Sequence, residues 1–488
     1  MSVAVLAALL LGAPEPAAES YALIIANNQS FESVLAPLTY ADDDGARYHE
    51  LLALVARRVE VLTVLDEGSQ RLYPATAAVA RPPSGAELTR ALDALFADME
   101  AANRRGVRTT FYFVYVGHGS VEAGGQGAMH LLDRRFTRAD VFHDVIARSP
   151  ATVNHLIIDA CNSYLLVAKR GAGEVDDAVD AAVDRFVEEE NLDRYPNTGI
   201  VVATSRAADV HEWSEFQAGV FSHEVRSALV GGADVDGDGA VTYGEVRAFL
   251  GAANQAVQDP RARLEPYVRP PRIRVVEPLF DGRAAPRHLV VPPELAGRYY
   301  LEDSRGVRFA DVNMGRGSAV RFTLLPERGY YLRGEGLERR IPADAVAELD
   351  ARSLEATAEP FRRRGAEDES FRRFLFATPF NRAYFDGFAA SPIYRPGVKV
   401  VLRDGEVPTG KVVALSLGGA SVAALAAAVG FAVSAGQARS AYDEYIGSQA
   451  ERDRLGEQAS SRATWANVFF GTSAALAVGA AVTWFVWD

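Results

Sequence analysis

Cysteine is almost missing from this chain: Cys161 is the only one in 488 residues, so no disulfide can form within it. The count alone does not fix the compartment, because chains without disulfides occur on both sides of a membrane. Positive charge is also scarce. Lys and Arg number 51 against 64 Asp and Glu, a formal net charge of −13. That acidity argues against a nucleic-acid partner and for an acidic body. Lys and Arg are absent from the start, MSV, ahead of the apolar run VAVLAALLLGA (3–13). This run is too short to span a bilayer. With the small residues behind it, it predicts a signal peptide over 1–18, cut near Ala17 or Ala18, and a periplasmic or other extracytoplasmic body; a core strand is the alternative. Two further stretches, 412–438 and 463–487, have no charged side chain. Each is long enough for a transmembrane helix, which takes about 20 apolar residues. Gly and Ala abound in both, and Trp484 and Trp487 sit where indoles favour an interface. Such runs would also suit a buried soluble hairpin. The segment between them, 439–462, is polar and reads as a loop.

Strand and helix signals alternate through the first half. YALIIANN (21–28), VEVLTVL (59–65), TTFYFVYVGHGS (109–120), VNHLIIDAC (153–161) and GIVVATS (199–205) are strands without polar alternation. Between them lie helical patterns, 43–58 and 85–105, the second with Leu88, Leu92, Leu95 and Phe96 on one face. Continuous apolar strands separated by helices predict an α/β fold, a mostly parallel sheet with helices on both faces. From about residue 283 to 345 short strands and turns predict a small β-sandwich-like domain. Residues 346–411 read as a charged helical stalk leading to the membrane. No internal repeat stands out.

The single thiol follows a buried strand, LIIDACNSY (156–164), with Asp159 and Asn162 bracketing it. A lone cysteine is often inert core. Here it sits at the carboxyl edge of the sheet, where ligands of open α/β sheets bind. The preceding strand of the same sheet, FYFVYV, runs into Gly117-His118-Gly119-Ser120. A histidine at a strand end is often a hydrogen-bonded structural residue, but two successive strands deliver His118 and Cys161 at one edge. His118 could then take the thiol proton, and the N–H groups of Gly119 and Cys161 could hold an oxyanion.

YALIIANN, LTYADDDGA, YVGHGS and LIIDACNSY, followed by VVATSRAAD and GVFSHEVRSALVGGADVDGDGAVTYGEV, together resemble the caspase-like cysteine peptidases, especially bacterial members and metacaspases, over residues 20–275. The resemblance implies a His118–Cys161 dyad with no cofactor for catalysis and a protein or peptide substrate. It also implies a carboxylate pocket for Arg or Lys. Asp159, two residues before the thiol, and Asp44, in the turn after the first strand, match that pattern, although Gly45 follows where the family has Ala. If the two converge, the pocket carries up to two negative charges. Asp159 could instead cap a helix. After the nucleophile, Asn162, Ser163 and Tyr164 stand where the family often has His-Ser-Gly.

Asp234, Asp236, Asp238, Gly239, Thr242 and Glu245 have the spacing of an EF-hand loop, which would place oxygens around Ca²⁺ with Glu245 as bidentate closure. An Asp-Gly turn between helices is the bland alternative. Between Cys161 and GIVVATS lies an acidic stretch headed by Lys169-Arg170, a place for self-processing, or else an amphipathic helix facing Val175, Val179, Ala182, Val183 and Phe186 inward. The leading expectation is a membrane-anchored cysteine endopeptidase that cleaves after Arg or Lys. The alternatives are a catalytically silent caspase-like scaffold at the membrane and a peptidase with Asp or Asn preference.

Overall fold

The computed structural model describes residues 18–31, 35–121, 127–160, 192–203, 212–214, 216–257, 263–264, 266–345, 347–359, 374–390, 432–437, 439–440 and 449–486. The central sheet is built from the expected apolar runs. It comprises β1 (Ala18–Asn27), β2 (Ala56–Leu62), β3 (Arg108–Gly117), β4 (Val153–Ala160) and β5 (Thr198–Val202), all parallel, with β7 (Tyr267–Arg269) antiparallel at the edge. The order across the sheet is β7-β5-β4-β3-β1-β2. Successive strand residues point to opposite faces. Ala22, Ile24, Tyr112 and Val114 therefore meet one core, while Leu23, Ile25, Phe111 and Phe113 meet another. Both faces are covered, so the strands need no polar alternation.

Helix α1 (Ala41–Leu52) adds Tyr48, Leu51 and Leu52 to the first core. Helix α2 (Gly85–Arg104) seals the second with Leu88, Leu92, Leu95, Phe96 and Met99, and Ser84 caps it by accepting from the Glu87 N–H at 3.3 Å. After β5 come α3 (Val220–Ser227), β6 (Ala240–Thr242) and α4 (Tyr243–Asn254), the helices again on the first face. β6 pairs antiparallel with β8 (Pro278–Asp281), beyond the end of the expected first domain.

Where a small β domain was expected, the chain forms two further sheets. One sheet has the order β12-β9-β15, from β9 (Arg287–Val291), β12 (Val320–Leu324) and β15 (Glu348–Asp350). The other runs β11-β10-β13-β14-β16, from β10 (Gly297–Asp303), β11 (Arg308–Met314), β13 (Tyr330–Gly334), β14 (Leu337–Ile341) and β16 (Ala356–Ala358). Two findings differ from expectation. β15 and β16 belong to these sheets, so the start of the supposed helical stalk is strand; helix appears at α5 (Arg382–Ala390). The β domain also shares its core with the first face of the large sheet, since Leu289, Val312, Phe322 and Tyr330 join one buried cluster with Val246 and Phe249 of α4.

The chain divides into two compact units, Met1–Gly397 and Val398–Asp488. In the second, α6 (Gln449–Val486) is one continuous helix, so residues 449–462, expected as polar loop, are helical. Among the described residues, no helix is long and apolar enough to cross a membrane. The transmembrane helices expected in the fold are therefore not found there. The run 412–438 lies mostly outside the described residues, and the other shares a helix whose first turns carry Glu451, Arg452, Asp453 and Arg454. The signal-like residues 1–17 also lie outside.

Candidate active site

Strand β3 ends at Gly117, and the register pairs it with Ala160, the last residue of β4. The residue following each of these partners is His118 on one strand and Cys161 on the other. Neighbouring strands run about 4.8 Å apart, so the register brings the two strand ends, Gly117 and Ala160, to one edge. Cys161 itself, Lys169-Arg170 and the acidic stretch lie outside the described residues. His118 is held by a network that sequence reasoning missed. The Tyr115 hydroxyl donates to the His118 carbonyl at 2.7 Å and accepts from the His130 N–H at 2.9 Å, while Asn27 Nδ2 donates to the His130 carbonyl at 3.0 Å. Gly117 is required by this closeness, for a Cβ there would lie 2.8 Å from the Tyr115 hydroxyl and 3.0 Å from the Asn27 carbonyl.

Burial pulls the His118 imidazole below its ordinary pKa, and the carbonyls of Asn28 and Ala36 offset this in part. A carbonyl can only accept, so a ring nitrogen bonded to it must carry the hydrogen. The proton therefore rests on the nitrogen facing those carbonyls. Nε2 is buried and has no hydrogen-bond partner among the described residues. A neutral imidazole with its basic nitrogen unengaged can take a proton from a neighbouring thiol.

The two expected pocket carboxylates do converge. Gly219 closes a short hairpin (Glu212–Trp213 with Ala218–Gly219), and a Cβ on it would lie 3.0 Å from Asp159 Oδ2 and 3.2 Å from Asp44 Oδ2. Of the three aspartates opening α1, Asp42 accepts from Asn28 Nδ2 at 2.7 Å and from the Asp66 N–H at 3.0 Å, which turns it away from the pair. Asp44 accepts from the Gly219 N–H at 2.7 Å. Asp159 accepts from the Ser222 N–H and hydroxyl, at 3.1 and 2.6 Å. Burial raises Asp159 to about 7, with the nearby Asp44 charge adding to it.

The charge balance differs from expectation. Arg226 of α3 lies 2.7 Å from Asp44, with Arg47 at 3.7 Å, and all three are buried. Burial pushes the Asp44 carboxyl up, and the two guanidinium groups oppose that. The pair is therefore already faced by two internal guanidinium groups. The signal was available: Ser222 and Arg226 are four residues apart, hence on one face of a helix.

A family model described as Caspase domain matches residues 19–261. This stretch is similar to a caspase domain. No curated protein matches the chain. Among solved structures, "structure of pro-sf-caspase-1" is similar at 12% identity and TM-score 0.27, covering 44% of this chain and 73% of that one. The Arg specific cysteine proteinase gingipain R is similar at 11% identity and TM-score 0.28, covering 69% and 66%. Such distant likeness carries no argument about this chain's chemistry.

Within the caspase-like domain Gly119 begins a short strand, Gly119–Val121, opposite Met129. The EF-hand-like loop follows α3. Gly239 has φ +82°, a left-handed turn that suits glycine. Oxygens of Asp234, Asp236 and Glu245 lie within 4.8 Å of one another. Asp238 turns to the Ala240 N–H at 2.7 Å, and Thr242 caps α4, its hydroxyl donating to Glu245 Oε2 at 2.8 Å. Three hard oxygen donors at that spacing fit a divalent cation of the Ca²⁺ type.

Proposed function

We propose that this chain is a cysteine endopeptidase whose base is His118 and whose nucleophile is Cys161. One observation carries the reading: His118 Nε2, without a hydrogen-bond partner among the described residues, stands at the end of the strand paired with the one that leads into Cys161. Nε2 takes the thiol proton and the thiolate attacks the scissile carbonyl carbon. The oxyanion is held by the N–H groups of Gly119 and Cys161. Imidazolium returns the proton to the leaving amine, and His118 then draws a proton from the water that hydrolyses the thioester. Cys161→Ala should abolish both peptide hydrolysis and thiol alkylation while leaving the melting temperature unchanged. Retained hydrolysis in that variant would sink the assignment.

The preferred residue on the acyl side of the cut is basic in this reading, oriented by Asp159 with Asp44 behind it through charge-assisted hydrogen bonds. A second reading, an acidic residue there, is favoured by Arg226, whose guanidinium lies beside the same carboxylates. A fluorogenic library varying only that residue separates the two. Ca²⁺, if bound, would be held by Asp234, Asp236 and Glu245, with Asp238 and Thr242 completing the loop. It would supply a structural brace rather than catalysis. Calorimetric titration of the chain and of Asp234→Asn tests it. Export and membrane attachment belong to the same reading. They rest on the runs 3–13, 412–438 and 463–487, and fractionation of the full chain tests them.

A further inference from the structure

Helix α3 is polar and yet buried along its whole length, from Val220 to Ser227. Its polar groups are met by different elements. Ser222 reaches Asp159 on the sheet, Glu224 accepts from Asn254 of α4 at 2.7 Å, and Arg226 pairs with Asp44 of α1. The remaining partners come from the β domain. His223 Nε2 bonds Asp311 of β11 at 2.8 Å, and the Asp311 N–H donates to Ser227 Oγ at 3.0 Å. Arg308 of the same strand donates to Asp311 at 2.6 Å and stands 5.2 Å over the Phe216 ring. Phe216 in turn stacks on His223, with centroids 3.8 Å apart.

The β domain holds the other pocket helix as well. Glu50 of α1 accepts from Arg328 at 2.7 and 2.8 Å and from Arg305 at 3.1 and 3.2 Å. Asp303 pairs with Arg305 at 2.7 Å, and the Arg305 guanidinium lies 4.7 Å over the Tyr73 ring. Planar, paired guanidinium groups fix direction as well as distance. Asp44 and the partners of Asp159 thus ride on two helices, each gripped from one side by the same β domain.

We propose that the β domain is a clamp that sets the specificity pocket, with Asp311 and Glu50 as positioning residues that act through Ser222, Arg226 and Asp44. Its kinetic consequence rests on the peptidase reading; its mechanical content does not. The test uses the full-length chain carrying Asp311→Asn and Glu50→Gln, singly and together, with the exposed Arg352→Gln as control. In the double variant KM for the preferred peptide should rise about tenfold, while kcat and the rate of Cys161 alkylation stay within about twofold. Asp311→Glu should restore most of the KM. Backbone amides of α3 and of the hairpin 212–219 should exchange with solvent about tenfold faster, while β3 and β4 remain protected. A lower melting temperature with unchanged KM would show a structural role only and overturn the clamp. So would a parallel fall of kcat and alkylation, or unchanged exchange in α3. If wild type hydrolyses no peptide while α3 exchange responds, the peptidase reading fails and the clamp stands. Should Asp311→Asn not fold, Arg328→Gln on the rim of the domain carries the same comparison.

Discussion

Two helices lie against the central sheet, and they are buried by different means. Helix α2 meets the sheet through a stripe of Leu88, Leu92, Leu95, Phe96 and Met99 and leaves its polar residues to water. Helix α3 also sets Val220, Phe221 and Val225 into a core, but serine, histidine, glutamate and arginine are sunk beside them. Water is removed from α2 at a gain, each large apolar side chain contributing about 1.5–3 kcal/mol. It is removed from the polar groups of α3 at a cost, which the partners of Ser222, His223, Glu224 and Arg226 offset. A helix of the second kind is intolerant of single losses, which suits an element that shapes a site.

The sharpest way to break this contrast is Arg226→Ala. It leaves Asp44 with Arg47 at 3.7 Å and the Gly219 N–H, and should cost about 3–5 kcal/mol in chemical denaturation. A loss below about 1 kcal/mol would mean that Asp44 simply takes up a proton. Second in size is Asp159→Asn, which should lower kcat/KM for basic peptides about ten- to a hundredfold, near 1.4–2.7 kcal/mol, and leave alkylation intact. Efficient cleavage after acidic residues only, in the wild type, would reverse the specificity.

Third is a pH effect that α2 cannot show. Burial raises Asp159 to about 7 and Glu224 to about 8. A carboxyl raised in the folded state keeps its proton longer than in the unfolded chain. Its stability contribution is therefore full below the unfolded value of about 4 and is lost as pH rises through those two values. Melting temperature should fall across that window, and Glu224→Gln should flatten the fall, gaining on the order of 2 kcal/mol above about pH 8. An unchanged slope would mean that Glu224 is not the group responsible. Smallest is the α2 counterpart: Ser84→Ala should cost about 1 kcal/mol, since α2 depends on a polar group only at its cap.

What was legible in the chain follows the same line. The parallel strands and α2 announce themselves by local pattern, because burying an apolar face leaves a period of two or 3.6 in the residues. His118, Asp44 and Asp159 could be placed at one edge because strand ends in such a sheet share a side. The partners that decide their charge could not. Arg226 comes from a helix whose polar residues look like surface. Glu50 and Arg328 stand 278 positions apart, and nothing local in either stretch points to the other. The network of Tyr115, His130 and Asn27 was hidden for the same reason: it joins three strands through side chain to backbone bonds that leave no periodic trace.

The pairing of β6 with β8 bears on how such a chain can be inherited or dissected. Ala240 and Val241 lie opposite Asp281 and Phe280, across the point where the family match ends. A gene segment ending near residue 275 would carry β6 without its neighbour, leaving a bare edge of N–H and C=O groups that invites pairing with another copy. Recombination that moved the peptidase segment onto a new tail would meet the same penalty. The unit of exchange is the compact unit Met1–Gly397, whose shared core includes Leu375, Phe376 and Phe380, and a shorter transplant is expected to come out of solution.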